Sequence, residues 1–360
     1  MTTFKVKPSP HPHTLEEREA ALAELKFGKA FTDHMARATW EVDTGWSDYR
    51  VEAYAPLLLD PATAVLHYAQ EVFEGLKAYR HADGSVWTFR PEANAARLAA
   101  SARRIALPEV TEEMFLASIE TLVRTDVEWV PSSPGSSLYL RPFMFASEKF
   151  IGVRSAHKVD YLVIASPVGP YFASGFTPVS IWVERDFNRA GPGGTGAAKF
   201  GGNYAASLLP QQVAAQNGCD QVCFLDAATG TRIEELGGMN TFFVTADGAL
   251  HTPALSGTIL EGITRSSIIE FARARGREVH EREITLDEVR SGIESGEIVE
   301  VFACGTAAVV TPIGTLKSTD FEVTINNGEP GPITQEIYER ITDIQYGRAD
   351  DEFGWMRRLA

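Results

Sequence analysis

The stretch Gly191-Pro-Gly-Gly-Thr-Gly-Ala-Ala-Lys199-Phe-Gly-Gly-Asn-Tyr204 organises the reading of this chain. A glycine-rich run delivers one lysine, two more glycines and a tyrosine, and residues 204–216 then predict a helix. Glycine permits positive φ and a close backbone approach to a bulky ligand. A lysine held in such a loop becomes a nucleophile if its pKa is pushed down. Two plainer readings compete. One is a solvated loop lysine. The other is a dinucleotide turn, since Gly191-x-Gly193-x-x-Gly196 matches G-x-G-x-x-G after the apolar run Val179–Val183. That match is weak: residues 187–190 separate the strand from the first glycine, Pro192 interrupts the turn, and the third glycine does not open the helix. A P-loop fits no better, because Ala-Ala-Lys follows Gly196.

Outward from this loop, 360 residues suggest two domains with ample core. A net charge of −15 argues against nucleic acid or an anionic membrane as partner. No apolar run is long enough to span a bilayer, residues 1–12 carry no apolar signal core, and the few cysteines make the cytoplasm the expected compartment. Three cysteines, Cys219, Cys223 and Cys304, are too few and too irregular for a disulfide framework or a four-ligand zinc site. The eight histidines form no metal-binding pattern, so no metal is expected.

The elements follow from pattern and punctuation. Thr14-Leu-Glu-Glu17 is a capping box opening a helix to residue 25. Strands over 35–42 and 50–58 flank a Thr-Gly-Trp-Ser turn, and Asp83-Gly84 and Asp247-Gly248 predict hairpins. Pro91 opens one helix and a second spans 112–127. Residues 138–145 and 161–168 read as strands. Beyond the turn-rich 169–178, strands at 221–225, 232–236, 241–245, 278–281 and 298–303 alternate with helices at 204–216, 262–275, 286–291 and 334–346. The expected domains are a small N-terminal α+β domain (1–172, with 1–13 a flexible arm), an interdomain segment with the glycine loop (173–201) and a larger C-terminal α/β domain (202–360).

The chemistry that suits such a lysine is that of pyridoxal phosphate, which needs an amine, an acid for its ring nitrogen, a donor for its phenolate and an anion cradle. Lys199 answers the first. Glu234-Glu235 offers two carboxylates of which one can face the ring, because neighbours in a strand point oppositely. Leu260-Glu-Gly262-Ile263-Thr264-Arg265 could bind a phosphate at a helix start. Gly305-Thr306-Ala307-Ala308 could add a hydroxyl, and Arg97 a fixed charge.

Taken together, these segments resemble the class IV pyridoxal-phosphate aminotransferases, and within them the branched-chain amino acid aminotransferases. The resemblance rests on Phe27-Gly-Lys-Ala-Phe-Thr-Asp-His-Met35, His67-Tyr-Ala-Gln-Glu-Val-Phe-Glu-Gly-Leu-Lys-Ala78, Phe89-Arg-Pro-Glu-Ala-Asn-Ala-Ala-Arg97, Leu138-Tyr-Leu-Arg-Pro142, Lys199-Phe-Gly-Gly-Asn-Tyr204, Glu235-Leu-Gly-Gly-Met-Asn240, Gly262-Ile-Thr-Arg265 and Gly305-Thr-Ala307. It runs in order from residue 27 to residue 346. It implies fold type IV, the D-amino acid aminotransferase-like fold, with a small α+β domain and a larger α/β pseudo-barrel domain. It implies Lys199 as the Schiff-base lysine, Glu235 rather than Glu234 as partner of the ring nitrogen, and Tyr204 as partner of the phenolate. Arg97, Gly262, the Ile263 and Thr264 N–H groups and Thr306 match the phosphate cup. Phe27, Tyr68, Phe73 and Tyr139 match the walls of an aliphatic pocket, Arg141 its carboxylate side, Gly238, Thr306 and Ala307 substrate contacts, and Tyr171 a closing loop. Family members are homodimers whose partner subunit contributes the residues matching Ile151 and Val153. The mammalian members' redox-active Cys-x-x-Cys is Ala308 and Thr311 here, as in a bacterial-type member. The implied reaction is a ping-pong exchange of amino groups between leucine, isoleucine or valine and 2-oxoglutarate. A D-amino acid aminotransferase, an aminodeoxychorismate lyase and, more remotely, a nucleotide-dependent dehydrogenase are the alternatives.

Overall fold

The structure, a computed structural model, describes residues 2–170 and 176–360. It divides into two compact units, one of Met1–Tyr171, Ala198–Gly201 and Asp343–Ala360, the other of Phe172–Ala197 and Gly202–Thr342. The sequence reading runs the second domain to residue 360. The chain instead returns to unit 1 for its last residues, because Met356–Arg358 adds a strand to Val86–Phe89 and Leu359 is fully buried.

Unit 1 is a nine-stranded sheet with helices on it. The strand order is Lys5–Val6, Gly45–Ala53, His34–Glu41, Lys158–Val168, Ser137–Ala146, Leu76–Arg80, Val86–Phe89 and Met356–Arg358, and Glu71–Phe73 pairs separately with Ser137–Ala146. Helix Pro91–Arg104 has proline at its first turn, where the missing N–H costs nothing. It buries Asn94, Leu98, Ser101 and Ala102, a stripe at helical spacing. Helix Glu112–Thr125 is capped by Thr111, whose Oγ1 accepts from the Met114 N–H at 3.2 Å, and buries Phe115, Ile119 and Leu122. These apolar residues share one core with Trp129 and Tyr161.

Two expectations are corrected here. The N-terminus is no loose arm: Lys5–Val6 pairs in parallel with Arg50–Val51, and Phe4 is buried edge-on against Tyr49 at 5.6 Å. One aromatic side chain in a polar stretch suffices to anchor it. The turn expected at Thr-Gly-Trp-Ser lies earlier, since Gly45–Ala53 is already strand and Trp46 pairs with Trp40. Residues 54–58 are not strand. The capping box at Thr14 and Glu17 forms as expected, on helix Leu15–Ala23.

Unit 2 holds a second nine-stranded sheet, in the order Ile233–Leu236, Gln221–Leu225, Val179–Val183, Val309–Lys317, Ile298–Gly305, Asn240–Thr245, Leu250–Pro253 and Val279–Arg282, with Glu322–Thr324 on Val309–Lys317. Leu250–Pro253 and Val279–Arg282 are parallel, so a crossover must join them, and helix Ile263–Ala274 supplies it. The helix expected over 204–216 is two, Gly201–Ala206 and Leu208–Gln216. Pro210 has no N–H for the Ala206 carbonyl, which interrupts the ladder there.

Candidate active site

Lys199 lies in the short segment Ala198–Gly201 that belongs to unit 1. Three contacts hold it there. The Lys199 N–H donates to Ser101 Oγ at 2.9 Å, its carbonyl accepts from the Phe73 N–H at 3.1 Å, and the Gly201 N–H donates to Glu71 Oε1 at 2.6 Å. Nζ stands 5.0 Å from the centroid of the Phe73 ring. Burial, and then the charge of Arg97, push the amine down to about 8. At pH 7 about a tenth of such a group is neutral, against roughly one part in three thousand for an ordinary lysine.

Arg97 is fixed by a fully buried carboxylate. Its Nε donates to Glu74 Oε1 at 2.7 Å and its Nη2 to Oε2 at 2.9 Å, while Asn94 Nδ2 donates to Oε2 at 2.7 Å. Burial alone would raise the Glu74 carboxyl, but Arg97, with Lys199 and Asn94, together outweigh it and the net shift is downward. Arg141 lies over the rings of Phe73 (4.8 Å) and Tyr139 (5.3 Å) and donates to the Tyr139 hydroxyl at 3.0 Å. Its buried Nε has no hydrogen-bond partner among the described residues. Phe27 meets Tyr139 edge-on at 4.9 Å. Tyr68 is exposed, and its hydroxyl donates to the Ile151 carbonyl of the same chain; the Ile151 and Val153 side chains are exposed. Tyr171 lies outside the described residues.

Unit 2 gathers the remaining candidates. Glu235 is 1% exposed and pairs with the equally buried Arg189, whose Nη1 is 3.0 Å from Oε2; the Leu260 N–H donates to the same oxygen at 3.1 Å. Glu234, its neighbour on the strand, has the Thr258 hydroxyl as donor instead, and burial raises its carboxyl above the usual range. Asn240 Nδ2 donates to the Leu260 carbonyl at 3.0 Å, and a Cβ on Gly262 would lie 1.9 Å from Asn240 Oδ1. Any larger residue where helix Ile263–Ala274 begins would have to displace the Asn240 amide, and among the described residues no side chain caps that helix start. Tyr204 packs beside Gly238, where an added Cβ would come within 3.3 Å of the ring. Thr306 and Ala307 sit in the turn between Ile298–Gly305 and Val309–Lys317, closed by Val309 at φ +60°, a conformation a β-branched residue rarely adopts. The glycine loop opens no helix at Gly196; the next helix starts at Gly201, so the dinucleotide reading fails on geometry. Cys304 is buried and its thiol is pushed up, which leaves it inert.

These residues fit pyridoxal phosphate. Within unit 1, a partly neutral amine and an orphaned arginine Nε suit its aldehyde and a substrate carboxylate; within unit 2, a buried carboxylate with a charged partner and a helix start with glycine before it suit its ring nitrogen and its phosphate. Sequence reasoning missed Glu71, Glu74, Ser101, Arg189 and Asn240. Glu74 carried a signal, a carboxylate inside Val72-Phe-Glu-Gly-Leu76, where an apolar setting demands a partner.

A sequence model of the amino-transferase class IV family matches residues 71–316. The chain belongs to the class IV aminotransferases, enzymes that use pyridoxal phosphate. It is 53% identical over 360 residues to the branched-chain-amino-acid aminotransferase of Mycolicibacterium smegmatis, covering 99% of this chain and 98% of that one. The crystal structure of the Escherichia coli branched-chain amino acid aminotransferase superposes with a TM-score of 0.74 at 28% identity, over 90% of this chain and all of that one. The branched-chain amino acid aminotransferase of Thermobaculum terrenum, solved in its PLP-form, matches with a TM-score of 0.70 at 25% identity, over 90% of this chain and 98% of that one.

Proposed function

We propose that this chain exchanges amino groups between the branched-chain L-amino acids and 2-oxoglutarate, in two half-reactions, with Lys199 as its catalytic residue. The observation that carries this reading is the placement of Lys199, its backbone tied to Ser101 and Phe73 and its Nζ 5.0 Å from the centroid of the Phe73 ring. Pyridoxal 5′-phosphate, when bound, supplies the carbonyl that takes up the amino group and a ring that accepts electrons as the Cα proton leaves. Lys199 would hold it covalently through Nζ, with Glu235 at its ring nitrogen and Tyr204 at its phenolate oxygen. Arg97, the Ile263 and Thr264 N–H groups and the Thr306 hydroxyl would hold its phosphate, with Gly262 giving the room.

The chain's own residues do the rest. Nζ of Lys199, neutral in a useful fraction of molecules, takes the proton from the substrate Cα and delivers it away from that carbon, and in the second half-reaction it runs the transfer in reverse, placing a proton on Cα of the new amino acid. Phe27, Tyr68, Phe73 and Tyr139 offer aromatic walls to an aliphatic side chain. Arg141 pairs with a substrate carboxylate, for which its unpartnered Nε is suited. Gly238 and Ala307 leave room beside the substrate. Ile151 and Val153, exposed in one protomer, would line the pocket of its partner in a homodimer. The cytoplasm is the fitting compartment, and no helix among the described residues is long and apolar enough to cross a membrane. Turnover of L-leucine with 2-oxoglutarate against turnover of D-alanine tests the assignment: preference for D-alanine would move the chain to the D-amino acid branch of the class.

A further inference from the structure

We propose that Arg189 is a positioning residue for this reaction, holding the Glu235 carboxylate charged and in one orientation so that the ring nitrogen of the cofactor meets a fixed anion. The inference rests on the role given to Glu235 above. Both side chains are almost wholly buried, at 2% and 1% exposure, so the pair is no screened surface contact. A carboxylate taken that far from water stays ionised only with a close, well-satisfied partner.

Arg189 is also anchored independently of Glu235. Its Nη1 donates to the carbonyls of Thr258 (2.9 Å) and Gly196 (3.2 Å), and its Nη2 to Gly196 at 3.3 Å. The guanidinium is thereby fixed by backbone before any ligand arrives, which is the preorganisation a charged group needs to act without rearranging. The Arg189 charge, 3.0 Å away, and the Leu260 N–H, which donates at 3.1 Å, converge on Oε2 of Glu235 and fix that oxygen in place. The adjacent Glu234 makes the contrast. It shares the strand and the burial but has a threonine hydroxyl rather than an arginine at its oxygen, and its Oε2 has no partner among the described residues. Of the two neighbouring carboxylates, only Glu235 has the guanidinium in direct contact at its oxygen.

The test compares Arg189→Met, Arg189→Lys, Glu235→Gln, the Arg189→Met/Glu235→Gln double variant and Glu234→Gln. Two readouts besides activity are taken: the affinity of apoprotein for pyridoxal phosphate by equilibrium dialysis, and the pH midpoint of the visible spectrum of the holoenzyme. Arg189→Met and Glu235→Gln are each expected to weaken cofactor binding about tenfold or more and to shift the spectral midpoint the same way. The double variant is expected to be no worse than the more damaged single, because both act on one charge. Arg189→Lys should fall between, and Glu234→Gln should match the wild type. If Arg189→Met lowers only the thermal midpoint, with affinity and spectrum unchanged and losses that add to those of Glu235→Gln, Arg189 is a structural tie and the proposal is overturned. A silent Glu235→Gln removes the role of Glu235, and the proposal with it. Should Arg189→Met fail to fold, a spectral shift in Arg189→Lys at an unchanged thermal midpoint supports the proposal, and no shift overturns it.

Discussion

Two lysines of unit 1, one buried and one partly exposed, show what a residue's environment does and does not decide. Lys77 and Lys199 are both pushed down to about 8, with burial the leading cause for each. Low basicity alone therefore does not mark the reactive amine. Lys77 is 8% exposed on a sheet strand, whereas Lys199 is partly exposed on a segment whose backbone is tied down at Phe73 and Ser101. Competitive acylation of the apoprotein, read residue by residue by mass spectrometry, is expected to label Lys199 with a midpoint near pH 8 and to leave Lys77 largely unlabelled. The same shift has a stability sign. The unfolded chain keeps the Lys199 proton up to about pH 10.5 and the folded one releases it near 8, so the cost of burying the charged amine is felt in full below pH 8 and is relieved as pH rises across that window. Replacing Lys199 by alanine should lower turnover of L-leucine by at least about 10³-fold. Glu74→Ala leaves Arg97 without its forked partner and should cost about 3–5 kcal/mol, measured as a fall in the denaturant midpoint.

At the scale of elements, the helices and hairpins were legible because their signals are local. Pro91, Thr111 and the Asp-Gly pairs at 83–84 and 247–248 announce turns and helix starts directly, and Gly84 and Gly248 take the expected positive φ of 86° and 85°. What escaped depends on contacts far apart in sequence. Phe4 finds Tyr49, Met356–Arg358 finds Val86–Phe89, and Arg189 finds Glu235, none of which periodicity reveals. Lys199 and Glu235 stand out in the sequence by their motifs, but Ser101 and Arg189, which pack against them, do not. The glycine loop joins both kinds of information. A Cβ on Gly196 would stand 2.2 Å from the Thr258 carbonyl oxygen, a backbone atom that Arg189 also binds. Gly196→Ala is expected to cost about 1–3 kcal/mol, seen as a lowered thermal midpoint, with weakened cofactor binding if Arg189 acts as proposed.

For the molecule as a whole, substrate range follows from the kind of pocket rather than from any one residue. Aromatic and aliphatic walls discriminate a methylene by about 1–3 kcal/mol, so leucine, isoleucine and valine should all turn over, with kcat/KM values spread by no more than roughly two hundredfold. The acidic balance of the chain, −15, opposes long-range steering of anionic substrates, which leaves their capture to local groups such as Arg141. The central claim is narrower than this range: one amine, at one position, carries the cofactor. Borohydride treatment of the protein purified with pyridoxal phosphate, followed by peptide mapping, tests it most directly. The account predicts a phosphopyridoxyl label on Lys199, lost when L-leucine is added first; a label on Lys77 instead, or none on either lysine, would contradict it.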